Sequence, residues 1–149
     1  MNIALSPDDI ARACADAMWR EDDASQGLGM KIVEVKPGLA TLTMTVQPHM
    51  VNGQRIAHGG FIFLLADSTF AFACNSHNQR AVAAQCDITF IRPGKLGDVL
   101  VATAREISRS GRSGICSPTG SGTSSSRRSG TRRCMRRGRS SPTGWRSTC

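Results

Sequence analysis

The stretch "HGGFIFLLADSTFAFACN", from His58 to Asn75, constrains the fold more than any other part of the chain. It is too long for an ordinary strand and holds no Gly or Pro after Gly60, so it reads as a helix although Phe, Thr and Ile are indifferent helix formers. Because it is apolar nearly all round, it should be a central helix buried by the rest of the domain. One carboxylate, Asp67, interrupts the pattern. A carboxylate is costly to bury unless paired or hydrogen-bonded, and burial raises its pKa. Asp67 is therefore either an acid held by an Arg or by backbone donors, or a functional group.

The flanking segments supply what could wrap such a helix. Ser6-Pro7-Asp8-Asp9 is a helix start, with a capping hydroxyl, a proline suited to the first helical position and two acids at the positive end of the dipole. Ile10, Ala13, Cys14, Ala17 and Met18 then form one apolar stripe, predicting a helix over 7–20. "MKIVEVKPGLATLTMTVQ" reads as a β-hairpin around Lys36-Pro37-Gly38, with Ile32/Glu34 and Val33/Val35 on opposite faces and Leu42, Met44 and Val46 alternating with threonines. After the long helix come two strand-like stretches, "AVAAQCDITFIRP", ended by Pro93-Gly94, and "DVLVATAREIS". The order helix, strand, strand, buried helix, strand, strand makes an α+β domain.

The chain has 149 residues, enough for one domain with a hydrophobic core and too few to expect two. Its net charge of +8 is unevenly placed: residues 1–110 hold 10 Lys/Arg and all 11 Asp/Glu, whereas residues 111–149 hold 9 Arg, no Lys and no acid. The body is nearly neutral, so the excess says nothing about its own partners. The 6 cysteines show no CxxC pair and no Cys/His cluster, which argues against a zinc site or a disulfide framework and for thiols in a reducing cytosol. No apolar run approaches the roughly 18 residues of a membrane span and the N-terminus has no secretory pattern, so the expected location is the cytoplasm.

The segment "MVNGQRIAHGGFIFLLADSTFAFACNS", followed by "ITFIRPGKLGD", resembles the PaaI-type hotdog-fold thioesterases of phenylacetate degradation, and through them the wider acyl-CoA thioesterases. HGG alone would be weak; "NG" before it, "LAD" after it and "RPG" behind the next strand make the combination specific. The resemblance implies a hotdog fold, in which a curved antiparallel sheet wraps a long central helix, over residues 1–115. It implies hydrolysis of an acyl-CoA, with (hydroxy)phenylacetyl-CoA or a related aryl-acyl-CoA as substrate and no metal or cofactor beyond the coenzyme A of the substrate. It also implies homodimers joined sheet edge to sheet edge, paired into tetramers, with each active site shared between two chains.

Geometry favours a shared site independently. Gly60 and Asp67 are seven residues apart, so on one helix they share a face but stand roughly 10 Å apart along the axis. An oxyanion donor and a base acting on one carbonyl must both lie within about 3 Å of it or reach it through a water.

By the resemblance, Asp67 is the general base for water or the direct nucleophile, and Gly60 supplies a backbone N–H to the oxyanion at the helix N-terminus. Paired glycines are also an ordinary helix-start turn, which is the plain reading of Gly59 and Gly60. His58 corresponds to a residue that orients the site, and Asn52 to one whose amide binds the carbonyl or the attacking water, although "NG" is equally a turn signal. Gly59, Arg92, Lys95 and Arg112 are candidates for substrate and coenzyme A binding, and Arg109 is a further cation at a strand end that could meet phosphate; solvated surface charge is the rival reading for each. Phe61, Phe63, Phe70 and Phe72 are read as core, some of them lining an acyl pocket.

The chain departs from the family after Gly114-Ile115. The family continues with two further alternating strands, whereas residues 116–149 are dominated by Arg, Ser and Gly, and such a composition cannot bury enough apolar surface to offset its ordering entropy. The last two strands of the sheet are therefore doubtful from sequence. The expectation is an out-of-frame or disordered tail, arising from a frameshift near Ile115 to Ser117. The alternatives are a non-catalytic or inactive hotdog acyl-CoA binder and, less favoured, a basic arm for nucleic acid, which lacks Lys and any aromatic spacing.

Overall fold

A computed structural model describes residues 5–110, 113–123 and 145–148. Helix α1 (Pro7–Arg20) is followed by a short α2 (Asp23–Gly27), strands β1 (Lys31–Lys36) and β2 (Leu39–Thr45), a 3-10 turn (Pro48–Met50) and the long α3 (Gly59–Asn75). Strands β3 (Asp87–Thr89), β4 (Val99–Ser110), β5 (Ser113–Thr123) and β6 (Trp145–Thr148) complete one antiparallel sheet in the order β1-β2-β4-β5-β6-β3. Helix α3 packs against β2, β4 and β5. The sheet offers it Ala40, Leu42, Met44, Leu100, Ala102 and Ala104, all buried, and α3 contributes Ile62, Leu65, Ala66, Phe70, Phe72 and Ala73. This is the α+β hotdog arrangement of a sheet around a helix.

The capping box at α1 forms as the sequence implies: Ser6 Oγ accepts from the Asp9 N–H at 3.1 Å, and Asp9 accepts in return from the Ser6 N–H. The buried stripe of α1 is not the expected one. Ala11 and Ala15 face inward with Cys14, Met18 and Trp19 partly covered, while Ala13 and Ala17 are exposed. Trp19 decides the rotation by docking on Phe72 of α3, ring centroids 6.1 Å apart, which turns the small alanines toward the core.

In the β1–β2 hairpin Leu42, Met44 and Val46 are buried as alternation requires, but Val33 is exposed. A β-bulge between Ile32 and Glu34 interrupts the register there, so Val33 has no partner and Val35 alone of the two valines reaches the core. The Lys36-Pro37-Gly38 turn depends on Gly38, whose φ of 67° is left-handed and whose added Cβ would lie 3.0 Å from the Glu106 Cβ.

The stretch 81–93 is strand only at Asp87–Thr89. Its neighbour in the sheet is β6, which supplies three pairs, from Asp87↔Thr148 to Thr89↔Arg146, so the ladder ends there and Val82, Phe90 and Ile91 stay exposed. Beyond Ile115 the structure extends the sheet where composition predicts none: β5 crosses the expected boundary at 115 and runs to Thr123, and β6 adds Trp145–Thr148. Composition measures side-chain burial, whereas β4 presents a long edge whose N–H and C=O groups need partners, and Ser, Gly and Thr backbones satisfy them as well as any. Residues 124–144 of the expected tail lie outside the described residues.

Candidate active site

Helix α3 and the loop before it assemble the site. The 52–56 turn is closed by Asn52 N–H to Ile56 C=O at 2.9 Å and Arg55 N–H to Asn52 C=O at 2.9 Å, with Arg55 at a φ of 61°. Two backbone bonds moor it: the His58 N–H donates to Met50 C=O and the Ala57 N–H to Gly94 C=O, each at 2.8 Å. Gly94 is buried, and a Cβ there would stand 3.3 Å from the Ala57 Cβ. The "RPG" segment thus holds the loop that delivers Asn52 and His58.

Asn52 Oδ1 accepts from the N–H groups of Gln54 at 3.0 Å and Ile56 at 3.3 Å. Its NH2 has no partner among the described residues, so the side chain is fixed by its oxygen and presents its donors.

His58 is the N-cap of α3, and its Nδ1 accepts from the Gly60 N–H at 3.0 Å. The acceptor role puts the imidazole proton on Nε2. Gly60 therefore does not present a vacant amide: a substrate oxygen reaching it must displace His58 Nδ1 or share the proton. The Gly59 N–H has no protein partner among the described residues. Gly59 has a second task that its sequence position does not reveal. Phe90 lies across it so closely that a Cβ on Gly59 would be 3.0 Å from the Phe90 Cζ. Phe61 meets the rings of His49 and His58 edge-on at 6.0 and 6.2 Å.

Asp67 lies on the same helix as Gly59 and Gly60. It is exposed, not enclosed, and the Arg or backbone donors of a structural acid are missing: among the described residues Asp67 has no hydrogen-bond or ion-pair partner. Partial desolvation nevertheless raises its pKa from the ordinary carboxylate value. Its surroundings correct the view of α3 as sheathed all round. Gly60, Phe63, Leu64, Asp67 and Ala71 form a stripe left open or half-open along one side, opposite the face that carries Leu65, Phe72 and Ala73. Of the four helix phenylalanines, Phe70 and Phe72 are core, whereas Phe61 and Phe63 are half-buried beside the open side.

The cations are less concentrated than sequence position suggested. Arg92 and Lys95 are exposed and flank the Pro93-Gly94 mooring of the Asn52 loop, and the Lys95 N–H is held by Asp98 Oδ2 at 2.9 Å. Arg109 is not part of this cluster: it pairs opposite Gly114, ten residues from the Val99 end of β4, roughly 30 Å along the strand. Arg112 lies outside the described residues. Phe90 and His49 were not singled out by sequence. Phe90 reads there as an ordinary strand residue, and only its contact with Gly59 sets it apart. Among the described residues no group of three His, Cys, Asp or Glu side chains could hold a metal, and no helix is long and apolar enough to cross a membrane.

Residues 54–117 match the family model described as the thioesterase superfamily. The chain is 48% identical over 91 residues to acyl-coenzyme A thioesterase PaaI of Escherichia coli, an alignment covering 61% of this chain and 65% of that relative, which is under two thirds of its length. It is 31% identical over 96 residues to human acyl-coenzyme A thioesterase 13, covering 62% of this chain and 69% of the relative. In three dimensions it is similar to the structure of the E. coli PaaI protein from the phenylacetic acid degradation operon, with a TM-score of 0.82, 33% identity and coverage of 96% of this chain and 92% of the other. A helix N-terminus bearing paired glycines, a partnerless acid farther along the same helix and a sheet packed on that helix's other face agree with these matches: the chain belongs to the thioesterase superfamily and has its hotdog fold.

Proposed function

We propose that the chain hydrolyses acyl-CoA thioesters, with two copies joined so that the donors of one α3 and the Asp67 of the other meet on one carbonyl. The observation that carries this reading is the open stripe of α3, which bears both Gly60 and an unpaired, partly desolvated Asp67 that lie too far apart to serve one substrate atom. The exposed apolar stretch with Val82, Phe90 and Ile91 beside the edge strand β3 supplies a surface for edge-to-edge joining of two sheets. A pair of such dimers would make the tetramer, and the cytoplasm is the compartment where coenzyme A esters and unbridged cysteines coexist.

In this mechanism the thioester oxygen rests at the N-terminus of α3, where the Gly59 and Gly60 amides and the helix dipole favour the developing oxyanion. Asp67 from the second copy either removes a proton from water as it attacks or attacks the carbonyl itself. The tetrahedral intermediate then expels coenzyme A as the thiolate, which takes up a proton; in the nucleophilic route this leaves a mixed anhydride on Asp67, which water hydrolyses to the free acid and the regenerated carboxylate. Asn52, with its oxygen tied down, offers its NH2 to the carbonyl or the water. His58 holds the helix start and presents Nε2–H. Arg92 and Lys95 flank the loop where phosphate would lie.

An aryl-acyl substrate of the phenylacetyl type is supported by the similarity to a protein of the phenylacetic acid degradation operon and by the half-exposed Phe61, Phe63 and Phe90 around the helix start. The test is steady-state hydrolysis of phenylacetyl-CoA, hydroxyphenylacetyl-CoA and short straight-chain acyl-CoAs by the whole chain, with Asp67→Asn as control. Hydrolysis of the aryl esters that disappears in Asp67→Asn supports the reading. A folded wild-type chain that binds acyl-CoA without releasing coenzyme A would instead make it a non-catalytic binder. Single-turnover hydrolysis in isotope-labelled water separates the two roles of Asp67, because only the nucleophilic route, with water opening the anhydride at the Asp67 carbonyl, puts label into its carboxylate.

A further inference from the structure

Cys74 of α3 and Cys116 of β5 bring their sulfurs to 3.2 Å, in a chain whose sequence shows no disulfide pattern. This is inside ordinary van der Waals separation of two sulfurs, and closing to a bond of about 2.05 Å asks for a movement of little more than an ångström. Both stand as thiols, one half-buried and reachable by a small oxidant, the other buried at 1% exposure. The hydrogen bond from Cys74 lowers the pKa of the Cys116 thiol from its ordinary value, against the opposing effect of burial. The thiolate, which is the attacking species, is thereby favoured at the sulfur that already faces its partner.

The position of the pair gives a bond between them structural weight. Cys116 is the one side chain of β5 that is buried among those described; Gly114, Ile115, Thr119, Ser121 and Gly122 are exposed. Strand β5 is held to β4 and β6 by backbone pairing, and the contact of Cys116 with Cys74 is where a buried β5 side chain meets α3. A covalent link there would close a loop from residue 74 to 116 and fasten β5 to the helix that carries Gly59, Gly60 and Asp67.

We propose that Cys74 and Cys116 are a thiol oxidation site, forming a reversible intramolecular disulfide that staples β5 to α3. With a glutathione disulfide as oxidant, one cysteine thiolate attacks it, releasing one glutathione and leaving a mixed disulfide. The second cysteine thiolate attacks the protein sulfur of that bond and releases the second glutathione. Two cysteine thiols lose two electrons and two protons, and one glutathione disulfide becomes two glutathione thiols. Excess reduced glutathione reverses both exchanges.

The experiment uses the whole chain, reduced and then equilibrated in oxidised glutathione, with non-reducing peptide mapping, thermal melting and amide hydrogen exchange. The expected result is a peptide linked through Cys74 and Cys116, a thermal midpoint raised by roughly 5–15 °C over the reduced protein, and slower exchange of the β5 amides. Cys116→Ser and Cys74→Ala should each abolish the oxidation-dependent shift. Should either variant fail to fold, peptide mapping and melting of the wild-type chain decide alone. Recovery of Cys74 and Cys116 as alkylated thiols after equilibration, linkage of either to another cysteine, or a midpoint unmoved by their linkage would overturn the proposal.

Discussion

The Gly60 N–H donates to His58 Nδ1 across 3.0 Å, so the residue that starts helix α3 also occupies one of the two amides at its tip. Capping and oxyanion binding therefore compete for the same proton, and substitutions of His58 can separate them. His58→Ala should lower stability by about 0.5–2 kcal/mol through loss of the cap, measured by denaturant unfolding. His58→Asn, which restores a capping oxygen, should recover most of that stability. If His58 also acts through Nε2–H, thioesterase activity should stay depressed in His58→Asn although the fold is repaired.

Asp67 should show a conflict between stability and activity. Its carboxylate is less well solvated in the folded protein than in the unfolded chain, so the native state holds its proton to higher pH and the unfolded state releases it first. Stability contributed by this group therefore falls as pH rises from the ordinary carboxylate value through the raised one. Asp67→Asn removes that pH dependence, should leave the protein as stable as wild type or slightly more so at neutral pH, and should reduce kcat by about 10²–10⁴-fold. Thermal melts at acid and neutral pH alongside a rate assay check both parts; a variant losing stability and activity together would contradict the assignment.

Gly59 and Phe90 should behave as a coupled pair. Gly59→Ala places a methyl 3.0 Å from the Phe90 Cζ and must push the ring aside, whereas Phe90→Leu makes room. The double variant Gly59→Ala/Phe90→Leu should be more stable than the sum of the single changes implies, with a coupling energy of about 0.5–3 kcal/mol. Additive free energies from denaturant melts would show that the two do not touch in solution.

Ser76 links the far end of α3 to the β1–β2 turn. Its Oγ accepts from the Gly38 N–H at 2.8 Å and donates to the Ala73 C=O at 2.6 Å, at 1% exposure. Ser76→Ala strands that buried amide and should cost about 1–3 kcal/mol of unfolding free energy. Kinetic constants should be unaffected, because the defect lies at the end of α3 away from Gly59 and Gly60.

Nucleotide sequencing around codons 112–120 tests the origin of the Arg-rich segment. A frameshift predicts that another frame downstream of Ile115 encodes two alternating apolar strands; an uninterrupted frame encoding the present tail, together with a tail that proves ordered, would dispose of it. The corrected chain should melt at a higher temperature, since alternating apolar residues in the last strands bury more apolar surface than Ser, Gly and Arg do.

The local chemistry of the chain determined much on its own: the long apolar run made α3, Ser6-Pro7 opened α1, and the alternation of Leu42, Met44 and Val46 placed β2 on the core. The motif residues Asn52, His58, Gly59, Gly60 and Asp67 were likewise legible, because their types and spacing are properties of a short segment. Tertiary structure alone decided which way α1 turned, since that rested on Trp19 meeting Phe72 from across the fold. It decided that Val33 leaves the core at a bulge, that Gly59 seats Phe90, and that Cys74 faces Cys116. It also decided that a Ser/Gly-rich segment becomes β5, because an unpaired strand edge asks its neighbour for backbone and composition measures only side chains.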